Sequence, residues 1–245
     1  MLRIALPAVF FMLAFGSLAL AQAAFEKDVI KTSAGDLELT FIGHGSLMLA
    51  FGRKVIHVDP FSKLADYAQL PKSDVILITH QHPDHLDPDA LKLVRGEKTT
   101  VVASALCAEK APGALAMKNG DTRTVEGIGI EAVPAYNVVH RRDNGQPWHP
   151  KGEGNGYVLT FGETRVYIAG DTEETPEMKA LAKIDVAFLP MNLPYTMTPE
   201  MVATAAKAFK PKILYPYHTG ETDVSKLVEL LKDAPEIEVR VRRMK

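Results

Sequence analysis

Short apolar runs broken by glycine-containing turns dominate the chain from residue 37 onward, the pattern of a strand-rich fold. Residues 37–41, 47–51 and 55–58 read as strands of this kind. Residues 74–78 form a nearly continuous apolar run, as expected of a strand covered on both faces. Residues 100–103 and 128–133 add two more strands. The second half repeats the theme: 156–161 and 164–168 predict a hairpin turning at Gly162 and Glu163, and 185–189 and 213–216 are buried strands. Residues 198–209 predict a helix with Thr198 as N-cap and Pro199 at its first position. A second helix over 224–232 and a strand over 236–241 close the chain.

Each half thus begins with strands and continues with strand–helix pairs. That order predicts an α/β architecture in which two mixed sheets pack together with helices outside, an αββα sandwich. Glycine and proline are scattered rather than clustered, so residues 24–245 read as a single domain.

The first residues follow another rule. Arg3 precedes an apolar stretch from Ile4 to Ala21, and Ala21-Gln22-Ala23 has the small-x-small form of a signal-peptidase site. Pro7, Gly16 and Ser17 interrupt the stretch, which favours a cleaved leader over a membrane anchor, and residues 1–23 are expected to be removed on export to the periplasm or the medium. Without Arg3, 27 of the 28 Lys and Arg remain against 30 Asp and Glu, a formal charge of −3. Such a balance gives no general reason to bind nucleic acid, and no stable membrane association is expected after cleavage. Cys107 is the sole cysteine, so no internal disulfide forms, and it reads as a small buried hydrophobe.

Candidate chemistry sits where the apolar run 74–78 ends. His80, His82, Asp84 and His85 lie within six residues, and burying them without partners would cost several kcal/mol. Imidazole and carboxylate together suit Zn²⁺, Mn²⁺ or Fe²⁺. In an extended segment His80 and His82 project to the same side and can grip one ion; Asp84 and His85, after the turn at Pro83, can face a second.

The segment Thr79-His-Gln-His-Pro-Asp-His85 resembles the H-x-H-x-D-H signature of the metallo-β-lactamase superfamily. Val58-Asp59-Pro60, Ala169-Gly-Asp171-Thr172 and Tyr217-His218 match further landmarks in the same order, and the resemblance runs from about Leu37 to Gly220. It implies that His80 and His82 bind a first metal and that Asp84, His85 and His218 bind a second. Asp171 would bridge the two, and Asp59 would orient the ligands. For the third histidine of the first metal the sequence offers two candidates, His149 and His140. His149 is preferred, because Ala135-Tyr-Asn137 followed by His149-Pro-Lys-Gly152 resembles a branch of small hydrolases related to ascorbate-6-phosphate lactonases. His44, in Gly43-His-Gly-Ser46, is another matched position, with a role in the pocket or in a turn. His57 lies in an apolar strand and reads as a strand residue.

The implied activity is hydrolysis of an ester, lactone, amide or phosphodiester by water activated between two divalent ions, most simply zinc. Asp84 or Asp171 takes the proton of that water. By the same resemblance, β-lactam-opening enzymes do not usually keep an aspartate at position 171, and nucleic-acid-processing members carry basic insertions absent here. A metal-dependent binding protein with an idle site and a single-iron oxidoreductase of the sulfur-dioxygenase type are the competing readings. The expected partner is a small molecule. Arg141, Arg142 and Lys151 around His149 either hold an anionic group on it or form a solvated charged loop; Trp148, Tyr195 and Met197 either wall the pocket or simply pack.

Overall fold

The computed structural model describes residues 25–245, so the expected leader lies outside the described residues. Two sheets of seven strands each form the centre of the fold. The first contains β1 (Glu26–Thr32), β2 (Gly35–Gly43), β3 (Ser46–Phe51), β4 (Lys54–Val58), β5 (Ser73–Ile78), β6 (Arg95–Ala103) and β7 (Leu115–Ala116). The second contains β8 (Thr122–Val125), β9 (Ile128–Ala135), β10 (Gly154–Phe161), β11 (Thr164–Ile168), β12 (Val186–Pro190), β13 (Ile213–Tyr217) and β14 (Glu238–Val239). Strands pair with their neighbours in sequence throughout. In each sheet the first three pairings are antiparallel and the last three parallel.

Alternation along the strands decides what each face meets. Leu37, Leu39 and Phe41 of β2 join Leu159, Ile168, Phe188 and Tyr215 in the core between the sheets. Residues of opposite parity on the first sheet, such as Ile76, Ile78 and Val101, pack under α1 (Pro88–Val94) and α2 (Ala105–Lys110) with Tyr67 and Cys107. On the second sheet Tyr167, Ala187 and Leu214 meet Val202, Ala206 and Phe209 of α4 (Pro199–Phe209) and Leu227 of α5 (Val224–Leu230). The layers are therefore helix, sheet, sheet, helix, as expected from the sequence.

The hairpin turning at Gly162 and Glu163 forms with Phe161 opposite Thr164, and Thr198 caps α4 by accepting the Met201 N–H. Two differences have local causes. Strand β1 is mostly polar and buries only Ile30 of its seven residues, so its own pattern is weak; its ladder to β2 holds it. The C-terminal strand shortens to Glu238–Val239. Helices α1 and α3 (Pro176–Lys179) begin at a proline after Asp87 and Thr175, whose side chains accept N–H groups of their first turns.

Function-bearing loops leave the C-terminal ends of these strands: Asp59 follows β4, His80 follows β5, Asp171 follows β11 and His218 follows β13. His44 follows the bulged end of β2. His44, Asp59 and His218 all have left-handed backbone, at φ 50°, 42° and 47°. That conformation costs of order 1–3 kcal/mol per non-glycine residue and concentrates at functional sites.

Candidate metal centre

Asp171 stands at the middle of the convergence and is almost fully buried. Its Oδ2 lies 3.3 Å from His149 Nε2 and 3.8 Å from His80 Nε2. Its Oδ1 lies 3.5 Å from both His85 Nε2 and His218 Nε2. The one carboxylate therefore faces two separate groups of imidazoles. His82 joins the first group, with Nδ1 3.0 Å from His80 Nε2. Asp84 joins the second, with Oδ2 3.6 Å from His85 Nε2 and 3.7 Å from His218 Nε2.

Several of these atoms have no hydrogen-bond partner despite complete burial: Nε2 of His85, His149 and His218, and Oδ1 of Asp171. Each such atom left unpaired costs about 1–3 kcal/mol. A cation in each group would satisfy them, and the nitrogen and oxygen donors suit borderline divalent metals. The residues fit the metals that the sequence motif implies.

The surroundings fix which ring nitrogen faces inward. Asp59 Oδ2 lies 2.8 Å from His85 Nδ1, while Thr79 donates to Asp59 through its backbone N–H (2.8 Å) and its hydroxyl (2.6 Å). Asn137 Oδ1 accepts the backbone N–H of His149 at 2.7 Å and sits 2.8 Å from its Nδ1. A proton on each Nδ1 leaves each Nε2 free as a ligand. The Asn192 amide lies 3.2 Å from His218 Nδ1; with its oxygen turned to that nitrogen it serves the same tautomer. Gly45 makes room for two of the rings, because a Cβ there would lie 2.8 Å from His85 Cε1 and 3.4 Å from His218 Cδ2.

Protonation of the cluster follows burial and neighbouring charge. Burial pushes the His82 imidazole down to about 4, with the His149 ring adding to the effect, and holds His80 well below the usual histidine range. Burial also opposes charge on His85, but the carboxylates of Asp171 and Asp59 outweigh it and raise this imidazole to about 9. For Asp171, burial favours the neutral acid, yet the His218 and His85 rings hold the carboxyl well below the usual carboxylate range. Asp84 is likewise lowered against the pull of burial, through contacts with His218 and His44. A cation binds ionised aspartates and neutral imidazoles, so at neutral pH a metal entering the second group displaces the proton that Asp171 and Asp59 favour on His85.

His149, the preferred candidate in the sequence, and His140, the alternative, lie apart in the structure. His140 Nδ1 lies 2.7 Å from Glu173 Oε1 and 2.9 Å from the Thr196 carbonyl oxygen, away from the imidazole groups, and the residue does not line the cavity. Glu173 had no sequence signal of its own. It is fully buried and accepts the backbone N–H groups of Val138, Val139 and His140 at 2.5–2.7 Å, and the Asn137 amide at 3.0 Å. It thereby holds the loop whose Asn137 orients His149. Asn192 was also missed, since a lone asparagine carries no spacing pattern.

A cavity of about 400 Å³ opens onto the centre. His44 lines it, with Nε2 3.1 Å from Asp84 Oδ2 and its ring centroid 3.7 Å from that of His218. Trp148 and Tyr195 form one wall, edge to face at 4.7 Å. Met197 does not belong to it: this side chain is fully buried under the second sheet, because the chain dips back into the core before α4. His57 packs near Tyr67 on the helix-covered side of the first sheet, away from the centre. Cys107 is the buried residue of α2, and its thiol is raised to about 11 by burial.

A model of the β-lactamase superfamily domain matches residues 38–218. The chain belongs to the metallo-β-lactamase superfamily. Within this superfamily it is similar to a UPF0173 metal-dependent hydrolase of Pelotomaculum thermopropionicum, 28% identical over 222 residues that cover 84% of this chain and 96% of the relative. A solved structure described as a candidate metal-dependent hydrolase of Parabacteroides distasonis is 51% identical, with a TM-score of 0.86 over 90% of this chain and 100% of the other. Igni18, a metallo hydrolase of Ignicoccus hospitalis, is 26% identical, with a TM-score of 0.70 over 85% and 95% of the two chains. The residues matched by the superfamily model include every residue of the centre, from His44 to His218.

Proposed function

We propose that His80, His82, His149 and Asp171 hold one divalent cation, and that Asp84, His85, His218 and Asp171 hold a second. The chain is a metal-dependent hydrolase, and this arrangement makes it a two-metal one. The observation that carries the reading is the division of Asp171: Oδ2 faces one imidazole group and Oδ1 the other. When bound, the metal pair lowers the pKa of water towards neutrality and polarises a carbonyl or phosphoryl oxygen.

The protein's own groups do the rest. Asp59, Asn137 and Asn192 hold the imidazoles in register. Asp84, about one-third exposed at the cavity and touched by His44, is placed to take a proton from attacking water, with Asp171 as the buried alternative. Trp148 and Tyr195 shield one side from solvent. The bond cleaved is an ester, lactone, amide or phosphodiester; the lactone is the choice that follows from the resemblance of the Ala135-Tyr-Asn137 and His149-Pro-Lys-Gly152 segments to hydrolases related to ascorbate-6-phosphate lactonases. Export of the mature chain from residue 24 onward, to the periplasm or the medium, completes the reading.

Metal analysis of purified protein, paired with an ester, lactone, amide and phosphodiester panel, tests it. Two equivalents of zinc or manganese with turnover support the proposal. Full metal without turnover favours a binding protein, and a single iron with oxygen consumption favours an oxidoreductase.

A further inference from the structure

Among the described residues four arginines are half-buried: Arg142, Arg165, Arg240 and Arg242. Three of them meet a carboxylate. Arg165 lies 2.9 Å from Glu131, Arg240 lies 2.7 Å from Glu238, and Arg242 lies 2.7 Å from Asp28. Arg142 has no carboxylate at ion-pair distance among the described residues. Its guanidinium stacks over Trp148, 4.5 Å from the ring centroid, and donates through Nη2 to the Trp148 carbonyl oxygen at 3.3 Å.

Position makes that missing partner informative. Arg142 lines the cavity over the candidate metal centre, together with Trp148 and Tyr195. The tight turn that brings it there closes with the Arg142 N–H donating to the Gln146 carbonyl at 2.8 Å. One carbonyl bond and one stacking contact fix the plane of the guanidinium and leave most of its five N–H donors unused. The two neighbouring cations are accounted for elsewhere: Lys151 pairs with Glu177 at 2.7 Å, and Arg141 is exposed and donates to the Gly145 carbonyl. A metal-loaded centre would carry two divalent ions against the carboxylates of Asp84 and Asp171, a net positive charge. A cationic cavity wall beside a cationic centre is unfavourable until an anion enters.

We infer that Arg142 is the specificity-determining anchor of this site, binding a carboxylate or phosphate group on a substrate whose apolar part lies against Trp148 and Tyr195. The inference rests on the hydrolytic reading for the word substrate, but its test does not depend on turnover. A planar guanidinium recognises an oxyanion through paired N–H donors, and the aromatic wall supplies the apolar complement.

Trp148 is the only tryptophan of the chain, so its emission reports on this cavity alone. The experiment titrates metal-loaded protein with phenylphosphonate, a non-hydrolysable aryl anion, and with neutral benzamide, following Trp148 emission and, in parallel, calorimetry. Phenylphosphonate is expected to bind saturably to the wild type and about 10- to 100-fold more weakly to Arg142→Met, the loss of a charge-assisted hydrogen bond. Arg142→Lys should fall between, keeping the charge without the fork, and benzamide should not distinguish the three proteins. Equal metal content across the variants separates anchoring from damage to the centre. Unchanged phenylphosphonate affinity in Arg142→Met, or no binding to the wild type, overturns the inference. Failure of the hydrolytic reading would show separately, as absence of turnover on the ester, lactone, amide and phosphodiester panel.

Discussion

A single oxygen of Asn137 holds His149 twice, accepting its backbone N–H at 2.7 Å and lying 2.8 Å from its ring Nδ1. The same amide donates to Glu173 at 3.0 Å and to the Tyr195 carbonyl at 2.8 Å. His149 is thereby fixed at backbone and ring together, and its buried Nε2 points at Asp171 without a hydrogen-bond partner.

That relationship predicts a graded series. His149→Ala should lose the metal held with His80 and His82, and Asn137→Ala should weaken it about 10- to 100-fold, as losses of groups behind a ligand do. His140→Ala should keep both metals, since its Nδ1 meets only Glu173 and Thr196. Chelator competition on the three variants decides; loss of metal from His140→Ala with retention in His149→Ala would exchange the two roles.

Asp171→Asn should disrupt both imidazole groups at once. The amide has no charge to offset two cations, and only one of its two atoms can ligate. Turnover is expected to fall by about 100-fold or more, with metal content below two equivalents. A variant with full metal content and near-normal turnover would falsify the bridging assignment.

Gly45→Ala places a methyl 2.8 Å from His85 Cε1. The ring must shift, and its 2.8 Å contact with Asp59 is lost. Metal stoichiometry is expected to drop from two to one while far-ultraviolet dichroism and the His80 group stay intact. Two tightly held metals in this variant would show that the second group tolerates displacement.

His57 gives the protein an acid liability distant from the cavity. Burial pushes its imidazole down to about 4, against an ordinary value of 6.5. Above pH 6.5 both folded and unfolded chains are neutral there, and the residue has no linkage effect. As pH falls towards 4 the unfolded chain takes up a proton that the folded chain resists, so stability declines by about 3 kcal/mol across that window. Urea unfolding of wild type and His57→Leu at pH 7 and pH 4.5 isolates the effect. The variant should lose less stability than the wild type between the two, and equal losses would rule out His57 as the source.

Export predicts that mature protein recovered from the native host begins at Ala24, after Ala21-Gln-Ala23. N-terminal sequencing that finds Met1 intact in a membrane fraction contradicts it.

What the sequence determined by itself is what local physics encodes. Short apolar runs set most of the strands from residue 37 onward but not the short β7 and the mostly exposed β8. The Thr198-Pro199 pair set the start of α4, and His80, His82, Asp84 and His85 follow one buried strand at ligand spacing. Those signals act over a few residues and survive without knowledge of neighbours. Long-range placement settled the remainder. Only the folded chain assigns the two oxygens of Asp171 to different imidazole groups, directs His140 to Glu173 and His149 to the centre, and buries Met197. Only the folded chain leaves Arg142 at the cavity while Lys151 finds Glu177. Asn137, Glu173 and Asn192 had no legible pattern, because a hydrogen bond that orients a ligand depends on where two distant loops meet. Loop meeting points follow from the packing of the two sheets, which no short window of residues contains.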